Sequence, residues 1–427
     1  MAGIAILIII SGCAVLQFLK GTVVRAVATI LVAICALIAA FGFFEFLSGF
    51  IISHADKGST LSIVNLAQPL SFALLFIIFF AALQTFAMYL TRDEVDLGLW
   101  PERIGRAVFG LILGFIVSGV LVTTLAMSPL PSGYPYERFE STNPKPGSPA
   151  KVFLNADGFV TNLFSTLSSG SLSGKKSFAV LHPDYLNQIF LNRLPKDVSL
   201  LTSSTPAINI PADKAVWPAS DAIKSQIDEL SGKSLGKPSG AYSALIVRIR
   251  IKRAAVKSED KISAGKFDLS QLRLICKRNT ELQDTFKGKA INVYPVGYLG
   301  AQSQIQTEAE IELNGTKDFG DASTRDIDFV FCVPTSYTPV LAEFKLNSIV
   351  QIPQNAILKD NSDAPAPATY FKRQDSQSAP GDRGDRNGNV SNGGNHRPIN
   401  QNDRPQGSAE NLTESITGMG TSSEMGY

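Results

Sequence analysis

Four long apolar runs fill the first 130 residues, and helix-like and then strand-like periodicities follow them. The first run covers residues 4–19 and ends at Lys20 and Gly21. The second covers 26–44 behind Arg25, and its apolar character resumes at 46–52 after Glu45. A third covers about 66–90, with Pro69 near its first turn, where proline is tolerated. The fourth covers 107–127 without a charge. Roughly 20 apolar residues at about 1.5 Å each just cross a bilayer core, so each run predicts a transmembrane helix. In the fourth, Gly110, Gly114 and Ser118 recur every four residues. That stripe lacks bulk, and another helix backbone can approach it, either within the bundle or between subunits of a homo-oligomer.

Beyond the runs, prolines at 129, 131, 135, 144, 146 and 149 exclude helix and predict an extended stalk over 129–150. Asp157 caps a predicted helix whose Phe159, Val160, Leu163, Phe164 and Leu167 share a face. Tyr185, Leu186, Ile189, Phe190 and Leu194 repeat that spacing after Pro183, and Ile223, Ile227 and Leu230 give a shorter third case. After about Ser239 the period changes to two: Val247, Ile249 and Ile251 alternate with Arg248, Arg250 and Lys252, and Thr307, Ala309, Ile311 and Leu313 with Glu308, Glu310 and Glu312. Further strands are predicted at 272–277, 291–296, 327–333 and 343–352.

The expected fold is therefore an all-α membrane part of four transmembrane helices (1–128), a proline-rich stalk (129–150), a mainly helical subdomain (151–238) and an antiparallel β-sandwich (239–358). An immunoglobulin-like arrangement is the first expectation for the sandwich, although Trp217 precedes the strands and none of them carries a tryptophan. Residues 359–427, rich in Asn, Gly, Ser, Asp, Arg and Gln, lack the apolar surface to offset ordering entropy and are expected to be a disordered tail.

Charge sharpens this picture. The 427 residues carry a formal net charge of only +2, so no basic field points to nucleic acid. Lys20, Arg25, Arg92, Arg103 and Arg106 sit on one side of the spans against Lys57 on the other. The positive-inside rule then places both termini, and everything after residue 130, outside the cytoplasm. The first run lacks an opening Lys or Arg, and cleavage as a signal is not expected.

Candidate chemistry is sparse. Glu45 is the sole acid in the apolar segments, joined by Gln68 and Gln84. Such groups mark transport paths, but Glu45 lies near the end of its span and has room to snorkel. The segment GSLSGKKS at 170–177 has three residues between its glycines where a phosphate loop needs four, and it reads as a surface loop. His182, the only histidine in the folded soluble region, reads as a helix-start residue, and Asp326 with Asp328 as a solvated strand face. No residue is predicted to be catalytic, metal-ligating or cofactor-binding. Cys276 and Cys332, the two cysteines outside the membrane, are candidates for a disulfide in an oxidising compartment.

The four spans, the turn from Lys20 through Gly21, Thr22, Val23 and Val24 to Arg25, and the pattern Arg103, Gly105, Gly110, Gly114 resemble the colicin V production protein family of bacterial inner-membrane proteins. The resemblance covers residues 1 to about 130. It departs at the start of the first span, where members often carry an acid and this chain has only Ala, Gly, Ile and Leu over positions 2–10. It implies a non-enzymatic inner-membrane protein linked to toxin production or export and envelope maintenance. The extracytoplasmic domain would then bind or sense an envelope protein or the cell wall. A small-solute channel and a membrane-anchored hydrolase are the alternatives.

Overall fold

The four apolar runs form helices α1 (Ala2–Lys20), α2 (Val23–His54), α3 (Leu61–Leu90) and α4 (Leu99–Met127), each long and apolar enough to cross a membrane. This is a computed structural model, and it describes residues 2–20, 22–55, 61–91, 98–140, 144–194, 200–203, 206–230, 236–238, 240–257 and 265–371. Thr22 caps α2, its hydroxyl accepting from the Arg25 amide at 3.3 Å. Glu102 on α4 accepts from the Val23 amide at 2.9 Å and pairs with Arg106. Helix α3 starts earlier than its hydrophobicity predicts, so Pro69 lies inside it rather than in its first turn. There the proline forgoes the amide bond to the Asn65 carbonyl.

Helix α1 packs along α4 on the small-residue stripe. A Cβ built on Gly110 would sit 2.7 Å from the Ala14 Cα, and one on Gly114 2.6 Å from the Ile10 Cα. Ser118, also buried, donates to the Phe115 carbonyl. The stripe is thus filled by a helix of the same chain. Gly119, off the stripe, is equally crowded: its Cβ would lie 2.4 Å from the Ala156 carbonyl oxygen.

The segment after α4 departs from the expected stalk. Buried Arg193 gathers it, donating to the carbonyls of Ala126, Leu130, Pro131 and Tyr134 at 2.7–3.1 Å. Arg193 thereby satisfies carbonyls at the end of α4 as well as in the loop. Burial lowers its pKa to about 10, still far above neutrality. Proline fixes the chain's local extension here, but a guanidinium with five donors folds it back against the bundle. Phe139 is buried in the core that the bundle shares with the domain.

The domain begins with α5 (Ala156–Ser169), α6 (Phe178–Leu181), α7 (Tyr185–Leu191) and, further on, α8 (Asp221–Glu229). The loop 170–177 joins α5 to α6. Its strands are β1 (Ile208–Asn209), β2 (Val216–Pro218), β3 (Tyr242–Lys252), β4 (Lys266–Asp268), β5 (Leu272–Arg278), β6 (Ile291–Val293), β7 (Pro295–Leu299), β8 (Ile305–Gln306), β9 (Glu310–Glu312), β10 (Thr324–Pro334), β11 (Tyr337–Phe344) and β12 (Ser348–Gln351). One antiparallel sheet runs β1-β3-β10-β7-β8 with β2 also on β3, a second runs β12-β11-β5-β6, and β4 pairs with β9. Val247, Ile249, Phe329 and Phe331 of the first sheet share a core with Leu272, Leu274 and Phe344 of the second. The strand expected over 343–352 is broken at Lys345, which takes φ +57° and turns the chain between β11 and β12.

Two expectations fail for one reason, that side chains and backbone far along the chain cover what looks solvated locally. Asp326 and Asp328 stand opposite Arg250 and Arg248 on β3, and Asp328 is fully buried in its pair with Arg248. The cover is the segment after 358, expected to belong to the tail. The Asp328 amide donates to the Ala368 carbonyl, Arg248 to the Ala366 carbonyl, and Tyr370 is buried against Tyr298. The folded domain therefore runs to at least Phe371, and the rest of the expected tail lies outside the described residues. Cys276 and Cys332 are both buried free thiols in different sheets, so the candidate disulfide is absent.

Candidate functional site: a buried ion cluster between bundle and domain

Glu45, the lone acid of the spans, does not face an open path. It lies nine residues before the end of α2 at His54, next to Phe41 and Phe44, which present apolar surface to the domain. The Phe41 ring stacks on Phe164 of α5 at 4.9 Å and meets Phe178 of α6 at 5.5 Å, and Phe44 lies 6.1 Å from Tyr185 of α7. One turn beyond Phe41, Glu45 Oε1 is 2.5 Å from His182 Nε2. His182 closes α6 rather than starting a helix, and only 2% of its surface is exposed.

The second imidazole nitrogen, Nδ1, is 3.0 Å from Gln188 Oε1. Nδ1 also lies 3.5 Å from the Arg273 guanidinium, so the charge on the ring is set by neighbours of both signs. Burial works against that charge, but the Glu45 carboxylate, helped by Glu343, overrides it and raises the pKa of His182 above 6.5. Gln188 passes the chain on, its Nε2 donating to Glu343 Oε1 at 2.9 Å. Glu343 on β11 stands directly opposite Arg273 on β5 and is salt-bridged to it, both almost wholly buried. Burial raises the Glu343 carboxyl pKa against the pull of Arg273 and His182. Arg273 also donates to the Leu181 carbonyl and to the Asn292 side chain. With His182 protonated, two carboxylates and two cations balance.

Asn292 opens the cluster to the surface. It sits on β6, donates to the Pro183 carbonyl and lines a cleft of about 750 Å³ with Lys145, Asp184, Asn187 and Tyr294. Burial raises the Asp184 carboxyl pKa. A chain of polar contacts thus runs from the cleft through Asn292, Arg273, Glu343, Gln188 and His182 to Glu45 on α2.

Searches of protein-family models, of curated proteins and of solved structures find no match to this chain.

The other two intramembrane polar candidates are also engaged. Gln68 Nε2 donates to the Leu346 carbonyl of the domain at 3.2 Å, and Gln84 Nε2 donates to Thr29 Oγ1 within the bundle. Beside Gln68, Asn65 accepts from the Leu201 amide and the Val64 carbonyl from Thr202. Among the described residues no group of His, Cys, Asp and Glu is placed to hold a metal ion. Both nitrogens of His182 are engaged, Nε2 with Glu45 and Nδ1 with Gln188. Sequence reading isolated Glu45 and His182 separately as the odd residues of their regions. It missed Arg273 and Glu343, which look like ordinary outward positions in alternating strands.

Proposed function

We propose that the chain is a four-span inner-membrane protein of the colicin V production type, acting without catalysis as an envelope or toxin-export accessory. Its C-terminal domain lies outside the cytoplasm and binds or senses an envelope protein or cell-wall component through the cleft at Asn292. The observation that carries this reading is the use made of the intramembrane polar groups. Glu45 and Gln68 bond to the domain and Gln84 to a neighbouring helix, contacts that support a packing role over the lining of a solute path. The N-terminus of α1 lies beside residues 133–136 and 151–153, which supports an even number of spans with the domain on the side of the N-terminus. We read the two larger sheets as a sandwich. Their strand orders differ from the ABED and CFG orders of the immunoglobulin fold, and that expectation is dropped.

The channel reading makes the opposite demand on Glu45. In proteoliposomes carrying a pH-sensitive dye, the accessory reading predicts proton flux no greater than in empty vesicles, for the native chain and Glu45→Gln alike. A flux present in the native chain and abolished by Glu45→Gln would replace it with the transport reading.

A further inference from the structure

The end of α4 and the beginning of the domain overlap in depth. Gly119, where the Ala156 carbonyl sits, is eight residues before Met127, which places the start of α5 about 12 Å back along α4 from its end. The Phe159 ring lies 5.2 Å from Phe115, a further turn back. Val152 packs with Ile6 and Ile10 of α1 and Val122 of α4, and a Cβ on Gly3 would touch Phe153. Residues 152–160 therefore run beside the spans and not beyond them.

The outward side chains of this segment match that depth. Phe153, Leu154 and Phe159 are 44%, 60% and 44% exposed, and the apolar Ile4 of α1 and Ile112 of α4 are exposed as well. Along the outer face of α5, Phe159 gives way to Asn162 and Thr166, so the face turns polar as the helix rises from the bundle. Two backbone amides of the turn are satisfied from within, as lipid requires. The Asn155 amide donates to the Val152 carbonyl at 2.8 Å and the Gly158 amide to Asp157 Oδ1 at 2.7 Å, while Asp157 Oδ2 accepts from Tyr136.

We propose that residues 152–160 form a wedge embedded in the bilayer leaflet on the domain's side, with Phe153, Leu154 and Phe159 against acyl chains. The protein then holds the membrane by a monotopic element in addition to its spans. This rests on the reading of α1–α4 as spans, and the test separates the two. In a chain whose four cysteines are replaced by alanine, Leu154→Cys, Phe159→Cys, Ile112→Cys and Glu308→Cys would each carry an environment-sensitive fluorophore in liposomes. The wedge predicts that positions 154 and 159 follow 112, quenched several-fold more by nitroxide-labelled lipid than 308 and shielded from iodide. If 154 and 159 follow 308 while 112 is quenched by lipid, the wedge is wrong and the spans stand. If 112 also follows 308, the spans fall and the wedge with them.

Discussion

At the residue scale, the decisive contact is one carboxylate on one imidazole. Glu45 is 40% exposed at the side chain and His182 2%, so breaking the pair should cost less than the about 3–5 kcal/mol of a fully buried one. A double-mutant cycle with Glu45→Gln and His182→Gln, followed by denaturant unfolding in detergent, should return a coupling of about 1 kcal/mol or more. Additive losses would mean that the pair holds nothing. The pair also fixes the sign of a pH effect. The folded pKa of His182 is raised above 6.5, so its ionic contribution is complete below about pH 6.5 and is lost as pH rises through the folded value. Facing groups in this cluster are Glu343, Arg273 and, from the loop, Lys176. Glu343, raised by burial, adds a loss in the same direction that begins lower, from about 4.5. Native protein should therefore lose stability above neutrality more steeply than Glu45→Gln, in which the group that raises His182 has no charge; parallel curves would contradict the pairing.

Among the elements, α4 is the most constrained, because it is approached closely on two sides. Gly114→Leu puts a side chain into the α1 backbone and Gly119→Leu puts one into the start of α5, and overpacking of either kind costs about 1–3 kcal/mol. Gly42→Leu on α2, with nothing within 4 Å, should be tolerated. Thermal aggregation in mild detergent should separate the first two variants from the third; equal behaviour of Gly42→Leu and Gly114→Leu would remove the seam. The contrast shows what the sequence makes legible. The four-residue spacing of Gly110, Gly114 and Ser118 is a local pattern and marks a seam, whereas Gly119 belongs to no pattern and its partner, α5, comes from beyond the loop. Strand β3 was legible from alternation, and β5 and β10 were expected as strands over 272–277 and 327–333. The burial of Asp328 was not legible, because Ala366 and Ala368 cover it from a segment whose composition predicts disorder. The described residues of the Pro-rich chain at 129–150 are non-helical, as their prolines predict, but its direction is set by Arg193, which no local rule connects to it.

In the molecule as a whole, bundle and domain share a core. Phe41, Phe44 and Phe72 from the bundle and Phe164, Phe178, Tyr185 and Leu346 from the domain belong to one buried cluster, and Glu45, Gln68 and Asn65 tie its edge. Full burial of a single phenylalanine is worth about 1.5–3 kcal/mol, so the aromatic junction outweighs the ion pair beside it. On the proposed sensing reading, a change at the cleft would reach α2 through this shared core without a flexible stalk to absorb it. The most direct test compares residues 129–371, produced without the bundle, with the same residues in the intact chain. The account predicts that the fragment exposes the Phe164, Phe178 and Tyr185 face, binds a hydrophobic dye, aggregates, and loses the thermal midpoint that its β-strands show in the full protein. A soluble, monomeric fragment with that midpoint unchanged would contradict it, and would make the domain an independent body merely tethered to the membrane.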